Sequence, residues 1–124
     1  MMYIATVFWI IGYDTIYGCQ DKNEDEVLGI KNSAVSAQKF LSVFVGSSYF
    51  ITFLLLLFSG YLLNANYIWF IGVFLCGFHY VSQVVKLKNL ENNNPLKIFK
   101  SNVTPGLILT ASALSSYLTF EYYN

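Results

Sequence analysis

Three carboxylates stand at helical spacing in the first part of the chain: Asp14, Asp21 and Asp25. If one helix runs through them, their directions fall within roughly 40° of one another. Like charges one turn apart destabilise a helix, so such a stripe calls for a countercharge. Hard divalent cations supply one: Mg²⁺ is usually held by one or two carboxylates together with phosphate oxygens and water. Gly18 lies near the same face, where a missing side chain lets a substrate approach the backbone. A plainer reading stands beside this one, with Asp21, Glu24, Asp25 and Glu26 forming a solvated acidic loop. That reading leaves Asp14 unexplained. It sits in an apolar stretch, where an ionisable group costs about 2.5–3.5 kcal/mol if the stretch crosses a membrane. A calcium loop is excluded. Asp21, Asn23 and Asp25 begin like one, but the sixth position is Glu26 instead of Gly and the twelfth is Asn32 instead of Glu.

The elements that must carry these residues follow from composition. Of 124 residues, 56% are hydrophobic and 19% aromatic, and only 11% are charged. A soluble domain carries about 25% charged residues to cover its surface, and this chain has less than half that share. It is too hydrophobic for disorder. A formal net charge of zero, with no arginine, removes the electrostatic basis for binding nucleic acid. The expected class is an all-α membrane protein, with the lipid bilayer as its solvent.

Four apolar segments are long enough to cross a bilayer, which takes roughly 17–25 residues as helix. They cover residues 2–18, 40–63, 67–85 and 103–120. The first is the shortest and contains Asp14. It does not read as a signal peptide, because no lysine precedes it, no small-residue cleavage site follows, and Asp14 interrupts the apolar run. The uncharged turn Asn64-Ala65-Asn66 makes the second and third segments a hairpin. All the lysines (Lys22, Lys31, Lys39, Lys86, Lys88, Lys97 and Lys100) fall in the two polar connections, residues 19–39 and 86–102. Two crossings separate these connections, so both lie on one side, which the positive-inside rule makes the cytoplasmic or matrix side. Cys19 and Cys76 fit neither a disulfide nor a zinc site. His79 and Gln83, at i,i+4, share a helix face; an inter-helix hydrogen bond is favoured there over substrate contact.

The acidic stretch has a longer pattern. Tyr13-Asp14-Thr15-Ile16-Tyr17-Gly18-Cys19-Gln20-Asp21, with Asp25 and then Gly29-Ile30-Lys31-Asn32-Ser33-Ala34, resembles the second aspartate-rich motif of the UbiA prenyltransferases. The resemblance is closest to their 4-hydroxybenzoate polyprenyltransferases, which read roughly YDTxYAxQDxxxDxxxGxKSTA. His79 and Gln83 resemble that family's HxxxQ, and Phe99, Ser101, Asn102 and Gly106 its FxSN…G. Gly18 departs from the usual Ala, and Asn32-Ser33 from Lys-Ser or Ser-Thr.

The resemblance implies a multi-helix membrane bundle in which two aspartate-rich motifs face each other across a cavity. Mg²⁺ bridges them to the diphosphate of a polyprenyl substrate, and the prenyl group passes to the ring of 4-hydroxybenzoate in ubiquinone biosynthesis. By position, Asp21 and Asp25 would be metal ligands and Asp14 would line the cavity. Lys31 would meet the leaving diphosphate and Tyr17 would face the cation or substrate. The membrane would be the bacterial cell inner membrane or the mitochondrial inner membrane, with the aspartates on the cytoplasmic or matrix face. The family's first motif, NDxxDxxxD in form, has no counterpart in these residues. The chain is therefore expected to correspond to the C-terminal portion of the fold, as a fragment, a split gene or a sequencing artefact, and to be inactive alone. Its polar faces around Asp14, His79 and Gln83 would then need cover from a partner such as a separately encoded N-terminal half. Beside the enzyme reading stand a non-catalytic relic or assembly partner, another aromatic prenyltransferase of the family, and a small transporter using Asp14.

Overall fold

The computed structural model describes residues 1–25, 31–89 and 93–123, with side chains placed outside residues 20–38 and 120–124. Four long helices and one short one make up the described chain: α1 (Met2–Asp25), α2 (Lys31–Leu62), α3 (Tyr67–Lys88), α4 (Pro95–Lys100) and α5 (Val103–Tyr123). The long helices overrun the apolar segments. Backbone hydrogen bonding in a helix does not depend on side-chain polarity, so α1 continues past residue 18 into the acidic stretch and α3 continues through Lys86 and Lys88.

Two stretches, Lys39–Leu62 and Tyr67–Lys88, are long and apolar enough to cross a membrane, with mean hydropathies of 2.1 and 1.7. Only a third of each is buried within the chain, so most of this apolar surface faces outward. They form the expected hairpin. Asn64 takes φ 47° in the turn, a left-handed conformation that asparagine tolerates better than most residues. Asn66 then caps α3, its side chain accepting from the Ile68 N–H at 2.9 Å. The short helix α4 lies in a connection read as polar loop. Its local signal is Asn94-Pro95, an N-cap whose side chain accepts from the Leu96 N–H at 2.8 Å, followed by proline in the first turn.

Packing brings every long helix between the same two ends. α1 runs antiparallel to α2: the Thr52 hydroxyl donates to the Ala5 carbonyl at 3.3 Å, Gly12 faces Tyr49, and Ile16 and Cys19 join Val45 in one core cluster. A Cβ at Gly12 would lie 2.5 Å from the Tyr49 ring, so glycine is what lets these helices approach. Gly72 plays the same part between α3 and α5, where an added Cβ would overlap the Ser112 hydroxyl. Small residues at helix contacts are the usual means of close packing in membranes. Asn66 in the turn also binds α5, its backbone N–H donating to Ser116 Oγ at 3.1 Å and its side chain to Thr119. Lys39, Lys86, Lys88 and α4 gather at the opposite end, the end towards which α1 carries Asp14.

Candidate functional site

α1 is one helix through Asp14, Asp21 and Asp25, which meets the condition for a single acidic stripe. The side chains of Asp21 and Asp25 lie outside the described residues, as does that of Lys31 at the start of α2 and all of Gly29 and Ile30. Asp14 is exposed, Tyr17 is 47% exposed, and a Cβ added at Gly18 would meet no atom within 4 Å. The buried side of the helix carries Ala5, Gly12, Ile16 and Cys19. At 100° per residue this stripe lies about 180° from the direction of Asp14. Asp14 therefore points away from the other helices described. Among the described residues, no three His, Cys, Asp or Glu side chains cluster closely enough to hold a metal ion.

An aromatic and polar core fixes the rotation of that helix. The ring of Phe99, on α4, meets Tyr13 at 5.6 Å and Tyr17 at 5.0 Å between centroids, so one ring holds the residues on either side of Asp14. Trp9 continues the chain, edge-on to Tyr13 at 5.9 Å, and its indole N–H donates to Asn102 Oδ1 at 3.0 Å. Tyr49 stacks on Tyr80 at 4.6 Å and donates to Gln83 Oε1 at 2.6 Å. The Gln83 amide in turn donates to Ser101 Oγ at 2.9 Å and to the Ile98 carbonyl at 3.3 Å. His79 Nε2 lies 3.1 Å from Gln83 Nε2 and 3.2 Å from Ser101 Oγ. Asn102 closes the group through its own amide, which donates to the Phe99 carbonyl at 3.1 Å.

The two shorter motifs thus meet each other. His79 and Gln83 on α3 join Ser101 and Asn102 after α4, as the inter-helix reading expected. One expectation is corrected: Gln83 is only 1% exposed and is satisfied within the chain, so it needs no partner's cover, and His79 is half-buried in the same network. They do not share the outward face of Asp14. Trp9 and Tyr49 complete this core although the sequence did not mark them. Both sit in apolar runs where their polar tips look incidental, and only the placement of Asn102 hinted that the runs hold a buried polar group in need of partners.

A helical chain with a membrane-apolar hairpin and an outward acidic helix face is the class that this architecture defines. Within that class, the chain is homologous to bacterial 4-hydroxybenzoate octaprenyltransferases. It is 33% identical over 122 residues to the 4-hydroxybenzoate octaprenyltransferase of Francisella tularensis subsp. tularensis (strain WY96-3418), covering 98% of this chain and 42% of that protein. It is 29% identical over 117 residues to that of Serratia proteamaculans (strain 568), covering 94% of this chain and 40% of the relative. The chain thus spans well under half the length of the curated relatives it matches. No family model matches it, and no solved structure does.

Proposed function

We propose that the chain forms one wall of a membrane prenyltransferase site, which transfers a polyprenyl group from its diphosphate to the ring of 4-hydroxybenzoate in ubiquinone biosynthesis. The observation that carries this reading is the single continuous helix that runs through Asp14, Asp21 and Asp25, with Asp14 exposed opposite the helix's buried side. Homology along 98% of the chain to 4-hydroxybenzoate octaprenyltransferases supports it. All four long helices span the bilayer in this reading, α1 and α5 included, and the lysine end faces the cytoplasm of a bacterial inner membrane. The matrix of a mitochondrion is the equivalent side.

The donor set suits Mg²⁺. Carboxylate oxygens are the ligands that hard cations prefer, and a helix that carries them at i,i+4 is relieved by a countercharge. Asp21 and Asp25 are the proposed ligands. When bound, Mg²⁺ would supply countercharge to the diphosphate as it leaves. Asp14 lines the cavity, and Lys31 offers a point charge to the same diphosphate. Tyr17, held against Phe99 but still half open, presents a ring face to a prenyl cation, which π-electrons attract. The facing acidic motif and the remaining wall would come from the portion of the relatives that this chain does not cover.

The test is to coexpress the chain with that uncovered portion of the Francisella relative, then supply Mg²⁺, 4-hydroxybenzoate and a polyprenyl diphosphate. Turnover is expected from the pair and not from the 124-residue chain alone. Asp21→Asn or Asp25→Asn should lose about 100-fold or more, because several kcal/mol of charge stabilisation depend on each ligand. Glu24→Gln and Glu26→Gln should change activity only a few-fold. Equal, mild losses at all four positions would mean a solvated acidic loop. Beside the enzyme reading stands a non-catalytic relic or assembly partner of a split prenyltransferase. Copurification of the two portions without turnover would support that instead.

A further inference from the structure

The short helix that grips α1 also carries two cations that the prenyl-transfer reading leaves without a role, Lys97 and Lys100. Both are exposed, while Pro95 and Ile98 are the buried residues of α4. At about 100° per residue, Ile98 turns into the core, Phe99 comes next against α1, and Lys100 follows a further step round. Lys97 lies about 160° from Phe99, on the side of α4 away from α1. The same order holds on α1. Ile16 and Cys19 face the core, Tyr13 and Tyr17 meet Phe99 at 5.6 and 5.0 Å, and Asp14 lies beyond them, exposed. Around each helix the path from the core crosses an aromatic contact and ends on an outward charge. Asp14 and Lys100 thus rise from the same outer side of the α1–α4 junction, with Tyr17 and Phe99 between them. Among the described residues, neither makes an ion pair.

We propose that Lys100 is a binding residue for the diphosphate, its ammonium meeting the phosphate oxygens that Mg²⁺ leaves free, across the junction from the carboxylates of α1. The identity of the anion rests on the prenyl-transfer reading; what is added is the residue that holds it from the α4 side. A metal–diphosphate complex has two unlike sides, a cation for carboxylates and bare oxygens for an ammonium. A surface with one acidic and one basic rim matches both. A free anion would be repelled by Asp14 and a free metal ion by Lys100. Spacing agrees as well. Packed helix axes lie about 8–10 Å apart, and charges pointing outward side by side keep about that separation. It is too wide for an ion pair. It suits a diphosphate with a metal–oxygen bond of about 2.1 Å at one end and an N–H···O bond of about 2.8 Å at the other. Gln83 fixes the backbone that carries Lys100, because its amide donates to the Ile98 carbonyl at 3.3 Å and to Ser101 Oγ at 2.9 Å. Those two residues bracket Phe99 and Lys100.

Phosphorus NMR of inorganic pyrophosphate, titrated with the detergent-solubilised chain in the presence of Mg²⁺, reads this contact without turnover. Binding is expected. It should weaken about tenfold in Lys100→Gln, the worth of one hydrogen bond between charged groups, and largely return in Lys100→Arg. Lys97→Gln, with the same change of charge, should leave it nearly unchanged. Equal weakening by Lys97→Gln and Lys100→Gln would mean a general positive potential at the lysine end, and that overturns the proposal. So does full binding in Lys100→Gln, or no pyrophosphate binding by the unmodified chain. Two further outcomes separate this contact from the reading it rests on. Binding that depends on Lys100 but survives Asp21→Asn removes the metal assignment and keeps the anion contact. A coexpressed pair without turnover, whose pyrophosphate binding still depends on Lys100, removes prenyl transfer and keeps it too.

Discussion

Tyr49 and Tyr80 stack face to face in the centre of the chain, yet their hydroxyls have opposite standing. Tyr49 donates at 2.6 Å to Gln83. Tyr80, 3% exposed, has a buried hydroxyl with no hydrogen-bond partner among the described residues. Removing a bonded hydroxyl leaves the partner's acceptor buried and unpaired, at about 1–3 kcal/mol, whereas removing an unbonded one costs nothing in hydrogen bonding. Tyr49→Phe should therefore lower the thermal unfolding midpoint of the detergent-solubilised chain, and Tyr80→Phe should leave it unchanged or raise it. Equal destabilisation by the two would mean that Tyr80 has a partner of its own or that stacking alone matters. At this scale the sequence was half legible. Spacing placed His79 and Gln83 on one face and pointed to an inter-helix bond. It did not disclose Tyr49 or Trp9 as the partners, since an aromatic residue in an apolar run reads the same whether its polar tip is bonded or idle.

Among the elements, α4 has the most consequence for its size. Six residues are too few to hold a helix alone, so its stability comes from what it touches. Phe99 meets Tyr13 and Tyr17, and Ile98 is buried in the main cluster. These two ring pairs join the packing of Ile16 and Cys19 against Val45 in tying the acidic end of α1 to the rest of the chain. Aromatic pairs contribute about 0.5–1.5 kcal/mol each beyond burial. Phe99→Ala should then speed hydrogen exchange at residues 13–19 by roughly tenfold, while amides near Val73 and Cys76 keep their protection. An unchanged rate at residues 13–19 would show that α1 holds its own orientation. The long helices were readable from hydropathy because apolar runs of that length have few other uses. The run of α1 through Asp21 and Asp25 was one of two readings, helix or solvated loop, and the run of α3 through Lys86 and Lys88 was not expected. Side-chain polarity alone does not mark where a helix ends. α4 had a cap signal in Asn94-Pro95, but six residues give no periodicity to support it.

For the whole molecule, the arrangement of ends decides how the chain would sit in a bilayer. The antiparallel hairpin puts Lys39 at the same end as Lys86 and Lys88, with Gly46 beside Val84 close to that end and Gly60 against Trp69 near the other. α1 lies antiparallel to α2, so Asp14 and the residues after it approach the same end. Hydrogen bonds from Gln83 to Ser101 and Ile98 fasten α4, with Lys97 and Lys100, there too. Lysine counting along the sequence reached that grouping by counting crossings; packing reaches it independently. The opposite end carries the turn around Asn64, where no lysine is found. Charge asymmetry of this kind sets orientation, because lysines near the ends of short loops resist translocation. Single cysteines at Asn64 and at Asn93 should therefore react with an impermeant thiol reagent from opposite sides of a sealed vesicle, with Asn93 on the cytoplasmic side. The native Cys19 and Cys76 are 3% and 0% exposed and should stay silent in folded protein. Labelling of both introduced positions from one side would leave the hairpin on a single face of the membrane. The aspartates would then lose their placement at the lysine end of a spanning bundle, and the proposed site would lose its position at the membrane surface.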